Sequence, residues 1–278
     1  MPQRVLALEL WELRERVGLS REDAAAILDQ HQGTLRRMER AETGPKKLHA
    51  STLIDAYTER LPAAQRDPVA KHLRELLRVA TERGWWHDHR DVLPPWLRVH
   101  IGIETYASQI RVWSPCLVPE LLQTPDYARA LYQVHCPRED PEVTERRVEL
   151  LQRRQAHTVY RQDCAVWALL SESAWTSGPG GPDILAAQRD HVERLAVERT
   201  SGVTVQVMPQ RSPLHPIADI GGFRIVRVPH PQIADTLLRR CPREGMAIED
   251  DEHTIRAYRV ALDQAVAVAP NPLRPTRL

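Results

Sequence analysis

The chain contains a single phenylalanine and only three lysines, Lys46, Lys47 and Lys71, among its 38 basic residues. The arginine bias reads first as codon usage in a GC-rich genome and only second as chemistry. An excess of charge is missing too: 38 basic residues against 37 acidic ones leave a net charge of +1, so an electrostatic argument for nucleic acid has to be local. The four cysteines, Cys116, Cys136, Cys164 and Cys241, form no C-x-x-C pair, which disfavours a zinc cluster and gives little support to a disulfide framework. No apolar run reaches the ~18 residues of a membrane-spanning helix, so no membrane association is expected. Residues 1–11 lack a basic leader and a small-residue cleavage site, so a cytoplasmic protein is the expectation.

Catalytic signatures are equally scarce. His87 and His89 form an H-x-H without further ligands, Ser171-Glu172-Ser173 lacks a nucleophile elbow, and the Gly178–Gly181 stretch is flanked by prolines with no Lys-Ser/Thr behind it. No metal, cofactor or catalytic residue is therefore assigned. Hydrophobic residues at 42% and charged residues at 27% are ordinary for a globular chain, and 278 residues suggest two domains.

Val5, Leu6, Leu8, Leu10, Leu13 and Val17 repeat at helical spacing, and Gly18 stops the helix. Ser20, with Asp23 three residues on, starts a short second helix rich in alanine. A third helix is expected over about residues 32–41, with Leu35 and Met38 as its apolar stripe. Between residues 31 and 47 the basic residues Arg36, Arg37, Arg40, Lys46 and Lys47 outnumber Glu39 and Glu42, a local excess hidden by the whole-chain balance. Two short helices, a tight turn and a basic helix make a helix-turn-helix, and a helical domain with a solvated basic face is the plainer alternative.

Leu13-Arg14-Glu15-Arg16-Val17-Gly18-Leu19-Ser20-Arg21-Glu22-Asp23-Ala24-Ala25 resembles the opening of the phage-repressor-like (XRE/Cro) helix-turn-helix family, and Gln32-Gly33-Thr34-Leu35-Arg36-Arg37-Met38-Glu39-Arg40 resembles its recognition helix. His31 stands where the family has a Ser or Thr cap, and Ala41 stands where it has Gly. His31 is expected to cap less well than Ser. The resemblance implies that Gln32, Gly33, Thr34 and Arg37 face bases and that Arg21, Arg36 and Arg40 face phosphate. Arg37 suits guanine and Gln32 adenine, while Gly33 offers no side chain.

Beyond a punctuated helical stretch at residues 51–61 and a helix expected over 69–83, a turn region runs from Gly84 to Pro95. Strands are expected at 108–113, 164–170 and 203–208, and a hairpin at 223–228 and 233–238. Helices are expected around 121–131 and over 141–159, 182–199 and 250–268. This half mixes strands and helices without a regular βαβ beat. The fold class is thus a mostly α helix-turn-helix domain (1–83), a junction (84–95), an α+β domain (96–269) and a flexible tail (270–278).

Several segments of this half resemble DUF5753, a domain of actinobacterial regulators. They are Ile103-Glu104-Thr105-Tyr106-Ala107-Ser108, Val118-Pro119-Glu120-Leu121-Leu122-Gln123-Thr124-Pro125-Asp126-Tyr127-Ala128-Arg129-Ala130, Arg153-Arg154-Gln155, Leu170-Ser171-Glu172-Ser173-Ala174 and Val203-Thr204-Val205-Gln206-Val207. The resemblance implies a DNA-binding transcriptional regulator that binds double-stranded DNA as a homodimer. It also implies a regulatory domain that answers to a small-molecule ligand or to a small DUF397-type protein, in an antitoxin-like relation. Glu104, Tyr106, Trp113, Gln123, Tyr127, Arg129, Arg154, Trp167 and Glu172 sit in or beside these segments and are the candidate ligand-binding residues. The plainer alternative makes the aromatics core residues and pairs Arg129 and Arg154 with Glu104 or Glu172. Glu120 replaces the family's Gly. It is expected as a solvent-facing first-turn residue, and the alternative is a group recruited for catalysis, which would make the protein an enzyme on a regulator scaffold. A third reading is a protein-interaction module that does not bind DNA.

Overall fold

Leucines at 6, 10 and 13 recur every three or four residues and bury one face of α1 (Pro2–Arg16). The computed structural model describes the chain apart from Met1, Pro45, Glu82, Arg83, residues 199–201, Gln232, residues 242–244 and residues 274–278. The chain divides into two compact units, residues 1–84 and 85–278.

In the first unit α1 ends at Gly18, whose φ of 71° suits a residue without Cβ. Ser20 then caps α2 (Arg21–Ile27): the Asp23 amide donates to Ser20 Oγ at 3.0 Å, and that hydroxyl donates to the Asp23 carboxylate at 2.6 Å. Ala24 and Ala25 are buried, and their small side chains allow close packing. Asp29, at φ 52°, turns the chain into α3 (Gln32–Glu39). The next helix, α4 (Lys47–Thr58), is continuous where the punctuated pattern suggested two short stretches. Helix α5 (Ala63–Thr81) runs through Pro68 instead of starting after it. Pro68 lies near the N-terminal end, where a missing amide costs a single helical hydrogen bond. Leu6, Leu10, Leu13, Leu35, Leu53, Ile54, Tyr57, Leu73 and Leu77 form the core. Each such leucine contributes about 1.5–3 kcal/mol by leaving water.

The second unit opens with a 3-10 turn at Trp85–His89 and α6 (Pro95–Glu104). There follow β1 (Gln109–Ser114), a 3-10 turn at Glu120–Leu122, α7 (Pro125–His135), α8 (Pro141–Ala156) and β2 (Ala165–Ser171). Then come α9 (Glu172–Thr176), α10 (Pro182–Val197), β3 (Val203–Met208), β4 (Phe223–Arg227), β5 (Thr236–Cys241), β6 (Gly245–Glu249) and α11 (Glu252–Val268). The six strands form one mixed sheet in the order β3-β2-β1-β4-β5-β6. β1, β2 and β3 pair in parallel, with helices in each crossover, and β4, β5 and β6 continue antiparallel. Half of the domain thus has the βαβ beat that the sequence pattern did not reveal. Strand β6 went unrecognised because Gly-Met-Ala-Ile-Glu has neither alternation nor a run of β-branched residues.

Along β4, Phe223 and Ile225 pack with Ile255, Leu262 and Ala265 of α11. Side chains alternate along a strand, so Arg224 emerges on the opposite face, toward Glu104 of α6 and Glu120. The first residues of the expected flexible tail are held in place: the Leu273 amide donates to the Val205 carbonyl at 2.8 Å, and Gln206 Nε2 donates to the Pro270 carbonyl at 2.9 Å. Strand β3 is a sheet edge with open backbone acceptors, which is why the chain lies down there. Residues 274–278 of that tail lie outside the described residues.

Candidate functional site

The exposed face of α3 carries Gln32, Arg36, Arg37 and Arg40, with Gly33 and Thr34 half-buried, while Leu35, Met38 and Glu39 point inward. His31 caps the helix better than its residue type suggested: its Nδ1 accepts from the Gly33 amide at 3.1 Å. That bond fixes the tautomer with the proton on Nε2. Any side chain at 33 would press its Cβ to 3.2 Å from the same ring nitrogen, so Gly33 belongs to the cap.

Glu39 explains the acidic residue near the end of α3. Its buried carboxylate accepts from Arg14 Nε at 2.6 Å and from Arg21 Nε at 3.0 Å, tying α1, α2 and α3 together. Arg21, expected to face phosphate, has a 40% exposed side chain whose Nε–H donates to Glu39. Arg40 lies 3.7 Å from Glu42 at the surface, whereas Arg36 and Arg37 form no salt bridge among the described residues.

A second cluster of charge lies within residues 85–278. Arg154 of α8 donates from Nη2 to Glu104 of α6 at 2.9 Å, and Arg224 of β4 donates from Nη1 to the same carboxylate at 2.9 Å. Glu120 faces both arginines, with its Oε2 at 3.3 Å from Arg154 Nη2 and 3.0 Å from Arg224 Nη2. His100, one turn before Glu104 and fully buried, lies with Nε2 at 2.8 Å from Glu104 Oε1. Burial opposes ionisation of Glu104 and Glu120, but the guanidiniums outweigh it and hold both carboxyls below their ordinary range. Burial pushes the His100 imidazole down, with Arg224 and Arg154 adding to the effect against the pull of Glu104. The cluster therefore holds two carboxylates, two guanidiniums and a neutral imidazole.

Beside it opens a cleft of about 250 Å³, whose wall includes Trp113, Gln123, Glu120, Arg224 and Arg240. The segment carrying Glu120 is braced from behind. Gln123 Nε2 donates to the Val118 carbonyl at 2.7 Å, the Val118 amide donates to Tyr127 Oη at 3.3 Å, and Gln155 Nε2 donates to the Gln123 carbonyl at 2.7 Å.

The family described as a domain of unknown function, DUF5753, matches residues 97–277. The chain belongs to this family. No curated protein and no solved structure gives a significant match. The match leaves the helices of residues 1–84 outside it.

Within the DUF5753 domain, five of the nine candidate ligand-binding residues come together: Glu104 and Arg154 in the cluster, and Trp113, Gln123 and Tyr127 in or behind the cleft wall. The other four do not. Arg129 is bound at the surface by Glu145, at 2.9 Å, and by Asp126. Trp167 donates to Gln206 at 2.8 Å and shares its strand face with Leu169, on the α11 side of the sheet. Glu172 is exposed and accepts from the Gln210 amide at 2.7 Å. Tyr106 follows α6 without reaching the cleft wall. Of the pairs that the plainer alternative offered, Arg154–Glu104 forms, and neither Arg129 nor Glu172 joins it.

Glu120 is the largest correction. It is not a solvent-facing residue, because its side chain is 31% exposed and paired with two arginines. His100, Arg224 and Arg240 went unnoticed in the sequence. The i,i+4 spacing of His100 and Glu104 in a helix whose only other charged residue is Arg98 was the available signal, and a lone arginine inside Phe-Arg-Ile-Val was the other. Among the described residues no group of three or more His, Cys, Asp or Glu is placed to hold a metal, and no helix is long and apolar enough to cross a membrane.

Proposed function

We propose that this DUF5753 protein is a DNA-binding transcriptional regulator that acts as a homodimer, with α3 in the major groove and with an effector, a small molecule or a small partner protein, received by the DUF5753 domain. The observation that carries the reading is the division of α3 itself. Its inward face is locked by Leu35, Met38 and the Arg14–Glu39–Arg21 tie, and its outward face offers amide and guanidinium donors with Arg36 and Arg37 uncommitted. A helix held rigidly by its neighbours, with unspent donors outside, suits base and phosphate contact. Gln32 and Arg37 are the base-facing residues in this reading, and Arg36 and Arg40 face phosphate.

The enzyme alternative draws less support. A Glu120 carboxylate held ionised by two guanidiniums is a weak general base and, having no proton, no general acid.

The test is binding of the full-length protein to the duplex upstream of its own coding sequence, against a shuffled duplex, over a salt series. The expected result is preference for the upstream duplex together with affinity that falls steeply with salt. Equal binding to both duplexes, or no binding at low salt, counts against a regulator.

A further inference from the structure

The cleft beside the ion-pair cluster has a wall that selects by charge as well as by shape. Its volume of about 250 Å³ equals the share of about eight liquid waters. Most of the wall is apolar, with Val112, Leu117, Leu131, Leu238 and Met246 supplying it. Three charged side chains reach it: Glu120, Arg224 and Arg240. The charges of Glu120 and Arg224 are already answered, because Glu104, Glu120, Arg154 and Arg224 balance two against two within bonding distance. Arg240 stands outside that balance. It is exposed, it projects from β5, and it forms no salt bridge among the described residues. Among the described residues the cleft therefore carries one unanswered positive charge at the rim of an apolar hollow.

We infer that this cleft binds a small amphipathic monoanion, a carboxylate of about ten non-hydrogen atoms in all, its apolar body against Val112, Leu131 and Leu238 and its head at Arg240. The inference rests on the effector reading of the DUF5753 domain and specifies its ligand chemistry. The balanced cluster serves as the rigid floor: with Glu120 and Arg224 locked to each other, neither has to be stripped of a partner when the ligand enters. Each methylene that enters the hollow strengthens binding by about fourfold until the hollow is full. A cation of the same shape meets Arg240 as a like charge.

Octanoate, octanol and octylammonium are eight-carbon chains that differ in head charge, so the three are titrated into the full-length protein by calorimetry. Cys116 is exposed and lines the cleft, while Cys136 lies elsewhere, so alkylation of each by iodoacetamide, read by peptide mass spectrometry, reports where the probe sits. Octanoate is expected to bind tightest and octylammonium weakest, with labelling slowed at Cys116 and unchanged at Cys136. In Arg240→Gln, octanoate affinity drops about fivefold, to the level of octanol, and octanol binding is unaltered. Octylammonium binding as tightly as octanoate, or failure of octanoate to protect Cys116, overturns the inference. DNA binding is measured on the same preparations. Selective DNA binding without octanoate binding sinks the ligand alone, and octanoate binding without DNA binding sinks the regulator alone.

Discussion

Ala41 closes α3 in a conformation that its side chain resists. Its φ is 53°, in the left-handed region where a Cβ crowds the backbone, and its amide still completes the helix end by bonding to the Met38 carbonyl at 3.0 Å. Glycine there removes the crowding and adds some freedom to the unfolded chain. Ala41→Gly is expected to stabilise the first unit by roughly 0.5–1 kcal/mol, read as a higher urea midpoint. An unchanged or lower midpoint shows that the position carries no strain. His100 sets a second residue-level expectation. The folded protein keeps its imidazole neutral, whereas the unfolded chain takes up a proton near pH 6.5. The folded pKa is the lower one, so this contribution to stability is complete above about pH 6.5 and is lost as pH falls below it. His100→Gln should flatten the decline in stability between about pH 6.5 and 5, by up to ~1.4 kcal/mol per pH unit. Glu104 and Glu120 act in a separate window, because their stabilisation is lost only as pH falls below about 4.5.

Helix α3 is eight residues long, too short to hold its shape alone, and it depends on α1 and α2 through Glu39. Removing that carboxylate leaves Arg14, 2% exposed, as a buried charge without its main partner. Glu39→Ala is expected to cost about 3 kcal/mol in chemical denaturation, far more than a surface change. A loss below about 1 kcal/mol indicates that Glu15 and the Leu19 carbonyl satisfy Arg14 by themselves. The two uncommitted arginines of the same helix separate base reading from phosphate contact. Arg37→Ala should cost about 1–3 kcal/mol on the preferred duplex and little on a shuffled one. Arg36→Ala should weaken both and reduce the salt slope by about one unit. Matching losses for the two variants mean that α3 meets DNA differently from the proposed docking.

At the scale of the whole molecule, the proposed regulator reading calls for two copies, because one helix-turn-helix makes too few contacts for selective binding and paired half-sites lie about one helical turn apart. Light scattering on the full-length protein at micromolar concentration is expected to give twice the chain mass. A mass of one chain across the accessible concentration range removes the paired half-site geometry.

Local signals were enough to read the first three helices, because their determinants are neighbours in the chain: leucines at helical spacing, Gly18 after the first helix, Ser20 with Asp23 at the second, and Leu35 with Met38 in the third. The Val-Thr-Val-Gln-Val alternation at 203–207 marked its strand for the same reason, and the segments around residues 103–130 marked the family. What the sequence could not reveal depends on residues far apart in the chain. Glu120 looked like a helix-start residue because its partners Arg154 and Arg224 are 34 and 104 positions away. Arg129 and Arg154 look alike in sequence, yet one pairs at the surface and the other is buried. Strand β6 exists because β5 offers it an edge, and residues 270–273 are ordered because β3 does. Periodicity and capping are written within a few residues, whereas the burial and pairing of charge are settled only when the sheet brings α6, α8 and β4 together. The cleft and its one unanswered arginine belong to that second class.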